Sequence, residues 1–130
     1  HLRQLAESDL FGVMLPCAGF HVDGRYADGR SFLDQGGRLV IATNYNPGSA
    51  PCANLSMAIA LAVRHLGITA AEAITAATFN AACLLQLDAG AVREGMQADL
   101  VLLDDHDERQ LGYEFGSNLV REVICAGRLV

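Results

Sequence analysis

The sequence predicts an α/β fold in which short buried strands are followed by helices. Two runs, FGVML and RLVIAT, are apolar over the length of a strand, as expected for a parallel sheet covered on both faces. Between residues 54 and 66, apolar side chains recur at intervals of three and four, which is typical of a helix with one buried face. Buried strands that alternate with helical segments indicate a parallel α/β unit.

The N-terminal part is predicted to contain two strands with a loop and a short helical piece between them. Helical spacing over residues 2–9 is followed by the run FGVMLPCAGF, which Pro16 interrupts. Residues 21–31 are rich in glycine and lack periodicity, so we expect a loop there. A helical turn over residues 32–37 ends on glycine, and RLVIAT forms the second buried strand.

Two helices are predicted after the second strand. The first covers residues 54–66. The second begins after Thr69, because Glu72 stands three positions later and completes a capping box. We expect this second helix to continue to about Leu85. Asn80 interrupts its apolar surface and therefore needs a hydrogen-bond partner within the fold.

The C-terminal part, from about residue 87, has the composition of a small β unit. The segments ADLVLLD and REVICAGRLV are rich in leucine and β-branched residues, and turn residues separate them. So few strands would leave sheet edges unpaired and one face bare. We therefore expect partner strands from outside these 130 residues.

Composition and charge exclude several classes of partner. The net charge is −6 and the nine basic residues are scattered, so we expect no nucleic-acid or anionic membrane partner. No apolar run reaches the roughly 20 residues of a membrane span, and the chain does not open with a secretion signal. The expected location is the cytoplasm.

The four cysteines are widely separated along the chain and form no CxxC motif. We therefore predict neither a zinc knuckle nor a disulfide framework. Apolar surroundings such as AACLL and VICAG are typical of cysteines that serve as small core residues. The positions are Cys17, Cys52, Cys83 and Cys125.

The most informative segment is ATNYNPGSAP, which places small polar residues directly after the second buried strand. Together with TAAEAITAATFNAA, GAVREGMQADLVLLD and LGYEFGSNLVREVICAGRLV, it makes the whole chain resemble the C-terminal part of the imidazolonepropionase family. These are metal-dependent amidohydrolases of histidine degradation. The helix and the GMQADLVLLD turn resemble many amidohydrolases, whereas NPGS and the YEFGSN tail point to this family.

The resemblance implies a fold and a division of the chain. The family has a (β/α)8 TIM-like barrel with an attached β-sandwich built from both chain ends. Residues 1–86 would supply about strands 7 and 8 of the barrel with their helices, and residues 87–130 part of the sandwich. A barrel takes about 250 residues, so an N-terminal barrel portion would be needed as a partner. Whether the complete protein forms a homodimer stays open.

The resemblance also implies substrate-binding residues in the NPGS segment. Asn46 and Gly48 would contact the product, N-formimino-L-glutamate, and Ser49 the substrate, 4-imidazolone-5-propanoate. Glycine lets a backbone N–H approach a carboxylate, and serine or asparagine can donate hydrogen bonds to it. The alternative is an Asn-Pro-Gly turn that merely ends a strand.

Asn44 departs from the family pattern, which has an aspartate that binds the metal and helps to activate water. A neutral amide is a weak metal ligand and no base near neutral pH. Three readings stay open: impaired activity, compensation by another residue, or an imperfect sequence. A purely structural role, in which Asn44 caps the turn, is a further alternative.

We expect zinc or iron in the complete enzyme, but none bound tightly by this chain alone. The family's HxH pair and other histidine ligands would precede His1, and no histidine here has a second ligand at metal-binding spacing. We interpret His21 as a loop residue, His65 as a residue of a helix end and His106 as part of a solvated turn.

Three functions are therefore compared. The first is an imidazolonepropionase-like hydrolase, and the second another amidohydrolase that acts on a cyclic amide or amidine. The third is a non-catalytic fragment that folds only with a partner.

Overall fold

The computed structural model describes residues 1–130 as seven helices and five strands. The helices span Leu2–Ala6 (α1), Pro16–Val22 (α2), Gly29–Asp34 (α3), Leu55–His65 (α4), Ala70–Ala77 (α5), Phe79–Leu85 (α6) and Gln110–Tyr113 (α7). The strands span Phe11–Met14 (β1), Arg38–Ile41 (β2), Leu100–Leu103 (β3), Val120–Cys125 (β4) and Arg128–Leu129 (β5). None of the helices combines the length and hydrophobicity that a membrane crossing requires.

Strands β1 and β2 pair in parallel, which confirms the predicted α/β class. Their register runs from Phe11 opposite Arg38 to Met14 opposite Ile41, and α2 and α3 connect them. The apolar residues of β2 are buried on both faces, as predicted. Strand β1 is buried only at Met14, whereas Val13 is 46% exposed, because helices α3, α5 and α6 pack against β2 and cover β1 much less.

Helix α2 differs from the prediction that Pro16 ends a strand and that a loop begins near residue 21. Pro16 is the first residue of α2, a position where proline's fixed φ fits and its missing N–H is not needed. His21 consequently lies in the last turn of α2, not in a loop. The irregular connection is limited to residues 23–28, because α3 begins at Gly29.

Helix α4 forms where it was predicted and lies at the centre of the molecule. The Asn54 side chain caps its N-terminus by accepting a hydrogen bond from the Met57 N–H at 3.2 Å. After its C-terminus, Gly67 takes a left-handed φ of 69°, which favours glycine. Small side chains at residues 58, 60 and 62 are fully buried and let neighbouring elements approach closely.

The predicted second helix has the expected start but is broken in the middle. The capping box of Thr69 and Glu72 is present. At Thr78, however, a φ of −119° and ψ of −86° end α5, and α6 begins at the next residue. The break allows Asn80 of α6 to donate a hydrogen bond to the Leu39 carbonyl oxygen at 2.8 Å. The prediction of one continuous helix was therefore wrong, whereas the predicted hydrogen-bond partner of Asn80 is present.

Strands β3, β4 and β5 form an antiparallel sheet in the predicted C-terminal region. Apolar side chains on it are exposed, including Val101, Val123 and Leu129. The unpredicted α7 lies between β3 and β4 in the chain and packs on α4, where Arg64 donates hydrogen bonds to the carbonyl oxygens of Gly112 and Tyr113. No element of residues 1–130 covers these apolar side chains of the sheet, and the expected partner strands stay a prediction.

The cysteines do not all occupy the core. Cys17 is buried and Cys52 half-buried, but Cys83 and Cys125 are exposed. The interpretation of Cys83 and Cys125 as core residues was wrong for this chain, because no element of it covers their parts of α6 and β4.

Candidate functional site

The segment after β2 begins at the carboxyl edge of the parallel strand pair. The Ala42 N–H donates to the Met14 carbonyl oxygen at 3.2 Å, so β1 and β2 end at the same edge. The chain then turns at Asn44, whose φ of 54° is left-handed. Asparagine tolerates this conformation better than most residues because its short polar side chain can hydrogen-bond locally.

A compact turn follows between Asn46 and Ala50. The two residues exchange backbone hydrogen bonds of 3.0 and 3.3 Å. The Asn46 side-chain Oδ1 accepts from the Gly48 N–H at 2.9 Å and from the Ser49 N–H at 2.8 Å. Ala50 is fully buried, so the turn is anchored in the core at its far end.

The four residues singled out from the sequence meet in this turn. Ser49 Oγ accepts hydrogen bonds from Asn46 Nδ2 at 3.0 Å and from Asn44 Nδ2 at 3.4 Å. Asn46 Nδ2 also donates to the Asn44 carbonyl oxygen at 2.6 Å. Asn44, Asn46, Gly48 and Ser49 therefore form one polar cluster at the strand edge, which we call the NPGS cluster.

Within the NPGS cluster, the groups differ in how much hydrogen-bonding capacity they retain. The Asn46 side chain is engaged at both ends: its Oδ1 accepts from the Gly48 N–H, and its Nδ2 donates to the Asn44 carbonyl oxygen and to Ser49 Oγ. Asn46 thus shapes the turn, which agrees with the alternative of a strand-ending turn. Asn44 is exposed and makes its side-chain hydrogen bond through Nδ2, which leaves its Oδ1 facing no donor of this chain.

Gly48 is not required by the conformation of the turn. Its φ is not left-handed, and an added Cβ would meet only Asn46 Oδ1, at the ordinary contact distance of 3.4 Å. Gly48 is also exposed. The packing of these 130 residues therefore does not require glycine at position 48.

The residues of this chain do not fit a metal ion by themselves. Nowhere in residues 1–130 do three His, Cys, Asp or Glu side chains come together as a ligand group. The NPGS cluster offers neutral amides and a hydroxyl. The side chain of His65 stacks on Tyr26 with ring centroids 4.1 Å apart, and His106 lies in an exposed turn.

The ionisable groups with shifted pKa values all lie outside the NPGS cluster. The pKa of Glu72 is lowered, chiefly by the hydrogen bond from the Thr69 N–H and further by Arg30. Hydrogen bonds from Arg109 lower the pKa of Asp107 to about 2. Near the strand edge, burial raises the pKa of the Cys17 thiol to about 11, with a further contribution from Cys52.

Comparison with known proteins connects this geometry to a family. The amidohydrolase family model matches residues 4–130. The imidazolonepropionase of Herpetosiphon aurantiacus is 44% identical over 133 aligned positions, covering 100% of this chain and 31% of the relative. That of Deinococcus radiodurans is 41% identical over 127 positions, covering 97% of this chain and 32% of the relative.

A solved structure shows the same fold. The chain matches an adenosine deaminase from Xanthomonas campestris, determined with bound zinc, at a TM-score of 0.87 and 22% identity. The match covers 98% of this chain and 33% of the deaminase chain. The chain thus spans about a third of the length of the curated relatives it matches.

Proposed function

This chain belongs to the amidohydrolase family, and on that premise we propose that it is the C-terminal part of an imidazolonepropionase-like hydrolase. The proposed reaction opens the ring of 4-imidazolone-5-propanoate with water to give N-formimino-L-glutamate. The observation that carries the proposal is the NPGS cluster at the carboxyl edge of β1 and β2. In barrel enzymes, substrates bind at this edge of the strands.

The proposed contribution of this chain is recognition of the substrate carboxylate. Ser49 Oγ accepts hydrogen bonds from the amides of Asn44 and Asn46. Ser49 Oγ itself donates at a long 3.3 Å to Asn46 Oδ1, an oxygen that already accepts two backbone N–H groups. Ser49 can therefore turn its hydroxyl proton towards a carboxylate at little cost.

The proposed place of the chain in the complete enzyme follows from its uncovered surfaces. We assign β1 and β2 to about strands 7 and 8 of a (β/α)8 barrel, and residues 87–130 to one part of a β-sandwich. The unpaired outer edge of β1 and the exposed apolar side chains of the β3–β4–β5 sheet support this assignment. An N-terminal barrel portion is then the necessary partner.

The proposed cofactor of the complete enzyme is zinc or iron, which would supply activation of the attacking water. The donor groups of this chain do not fit the ion, so its ligands are proposed to lie in the remaining barrel. A neutral Asn44 also supports a second candidate, hydrolysis of another cyclic amide or amidine by altered chemistry. A non-catalytic fragment that requires a partner is the third candidate.

The test is ring opening of 4-imidazolone-5-propanoate by the full-length protein and by its Ser49→Ala variant. Loss of a hydrogen bond to a charged group costs about 1.5–3 kcal/mol, so KM should rise about tenfold to a hundredfold. Ser117→Ala is the matched control, because this exposed serine makes no side-chain hydrogen bond. Turnover that is absent from the metal-loaded protein, or a KM unchanged in Ser49→Ala, would contradict the proposal.

A further inference from the structure

Strand β2 pairs with another strand along only one of its two edges. The Ala42 N–H donates to the Met14 carbonyl oxygen at 3.2 Å. Successive residues of a strand direct their N–H and C=O groups to opposite edges, so Ala42 and every second residue before it face β1. Leu39 and Ile41 face the other edge, which we call the open edge of β2. No strand of residues 1–130 pairs with the open edge.

Asn80 of α6 supplies a hydrogen-bond donor at the open edge. Its Nδ2 lies 2.8 Å from the Leu39 carbonyl oxygen, within the usual range for a hydrogen bond between strands. Leu39 is completely buried, so water does not reach this oxygen. The Asn80 amide therefore takes the position that the N–H of a neighbouring strand would occupy.

The NPGS cluster directly follows the strand that Asn80 holds. Asn44 lies five residues after Leu39 in the chain. The hydrogen bonds to β1 act on one edge of β2 and leave rotation of the strand about that edge unopposed by hydrogen bonds. Helices pack on β2 through apolar contacts, which are not directional. The Asn80 hydrogen bond fixes one backbone atom on the opposite edge and thereby opposes the rotation.

We propose that Asn80 is a positioning residue for the NPGS cluster, because its hydrogen bond at the open edge sets the orientation of β2 and hence the place of Ser49 and Gly48 against the substrate. This inference rests on the proposed function, in which Ser49 binds the substrate carboxylate. Asn80 itself makes no hydrogen bond to the cluster. A displacement of about 1 Å caused far from the chemistry can cost about a hundredfold in rate, so a contact of this kind can control the site.

The test measures the proposed ring opening of 4-imidazolone-5-propanoate by variants of the full-length protein. Asn80→Asp keeps the shape of the side chain, but an ionised carboxylate only accepts hydrogen bonds, so the donor to Leu39 is lost. Asn80→Ala removes the donor without adding a charge. Thr69→Ala, which removes the cap of α5, is the control for a loss of stability alone. All variants are assayed at a temperature at which denaturation curves show them to be fully folded.

The expected result is a change in KM that a purely structural role would not produce. We expect KM to rise at least about fivefold in both Asn80 variants, the size expected for one lost hydrogen bond, and to keep its parental value in Thr69→Ala. A residue that only stabilises the fold alters the amount of active protein, which lowers the apparent kcat and leaves KM unchanged. A parental KM in the folded Asn80 variants would overturn the proposal.

A double variant tests whether Asn80 acts through the cluster. Ser49→Ala/Asn80→Ala should raise KM by clearly less than the product of the two single increases, because Asn80 has less to position once the Ser49 hydroxyl is absent. Increases that multiply would mean that Asn80 acts on another part of the protein, and this result would also overturn the proposal.

A second measurement does not require turnover. The Gly48 and Ser49 N–H groups donate to Asn46 Oδ1 at 2.9 and 2.8 Å, so their NMR signals report the geometry of the cluster. Selective isotope labelling of glycine and serine makes these signals visible in the full-length protein. Both signals should shift in Asn80→Ala and keep their positions in Thr69→Ala. Absence of turnover in the parent would contradict the proposed function, whereas unshifted signals in folded Asn80→Ala would overturn the role of Asn80.

Discussion

The side-chain Nδ2 of Asn80 donates a hydrogen bond to the main-chain oxygen of Leu39, 2.8 Å away. This contact ties α6 to the middle of β2, the strand that ends in the NPGS cluster. Leu39 is completely buried, so its carbonyl oxygen would have difficulty finding water as a substitute partner. Asn80 therefore helps to position the strand.

Removal of the Asn80 amide should destabilise the protein. Asn80→Ala leaves the Leu39 carbonyl without its partner, and we expect a loss of about 1–2 kcal/mol in the free energy of unfolding. Chemical denaturation of the full-length protein measures this loss. Thr75→Ala is the control, because Thr75 is exposed on α5 and its side chain makes no hydrogen bond. Equal denaturation midpoints for both variants would argue against this role of Asn80.

A side chain at position 48 should affect substrate binding and not folding. The turn accommodates a Cβ at Gly48, so Gly48→Ala should unfold at the parent's temperature. If the Gly48 backbone lies against substrate, KM should rise at least about tenfold, which corresponds to about 1.4 kcal/mol. Gly116→Ala is the matched control, since a Cβ there meets open space at an ordinary φ. A parental KM for Gly48→Ala would place the substrate elsewhere.

An aspartate at position 44 should raise the rate if this position is an impaired metal site. Asn44→Asp introduces a charged ligand and proton acceptor, and general-base contributions are typically ~10²–10⁴-fold. We expect kcat of the full-length protein to rise at least about tenfold, together with its bound zinc or iron. An unchanged or lower kcat at full metal content would instead favour the altered-chemistry candidate.

The Glu72 carboxylate should stabilise the protein above mildly acidic pH. The Thr69 N–H, and then Arg30, lower its pKa from 4.5. The stability from this group is therefore present above the unfolded-state pKa and is lost as the pH falls through the folded-state pKa. Glu72→Gln should cost less than about 1 kcal/mol at pH 7, because the Arg30–Glu72 pair is partly exposed and solvent screens it.

The pH dependence can be measured by denaturation of the parent and Glu72→Gln from pH 7 down to pH 3. The difference in unfolding free energy should shrink towards the acidic end. Glu94→Gln is the control, because Glu94 is exposed and makes neither an ion pair nor a side-chain hydrogen bond. A difference that grows on acidification would contradict the assigned sign.

The elements that were predictable from the sequence are those specified by neighbours along the chain. The cap at Asn54 and the capping box of Thr69 and Glu72 need residues only three positions apart. The apolar runs of β1 and β2 indicated a parallel pair for the same reason. The NPGS segment was also recognisable, because its polar residues lie within ten positions after a strand.

Other features depend on contacts between distant parts of the chain. The apolar periodicity continues through Thr78, so it contains no sign of the break that lets Asn80 reach β2. Helix α7 has four residues and is held by Arg64 of another helix. Cys17 and Cys52 are likewise far apart in the sequence, whereas parallel pairing of β1 and β2 brings the segments that carry them to one edge of the sheet. Cys83 and Cys125 lie in apolar sequence but are exposed. Burial requires a covering surface from elsewhere in the fold, and a local apolar pattern cannot provide that surface.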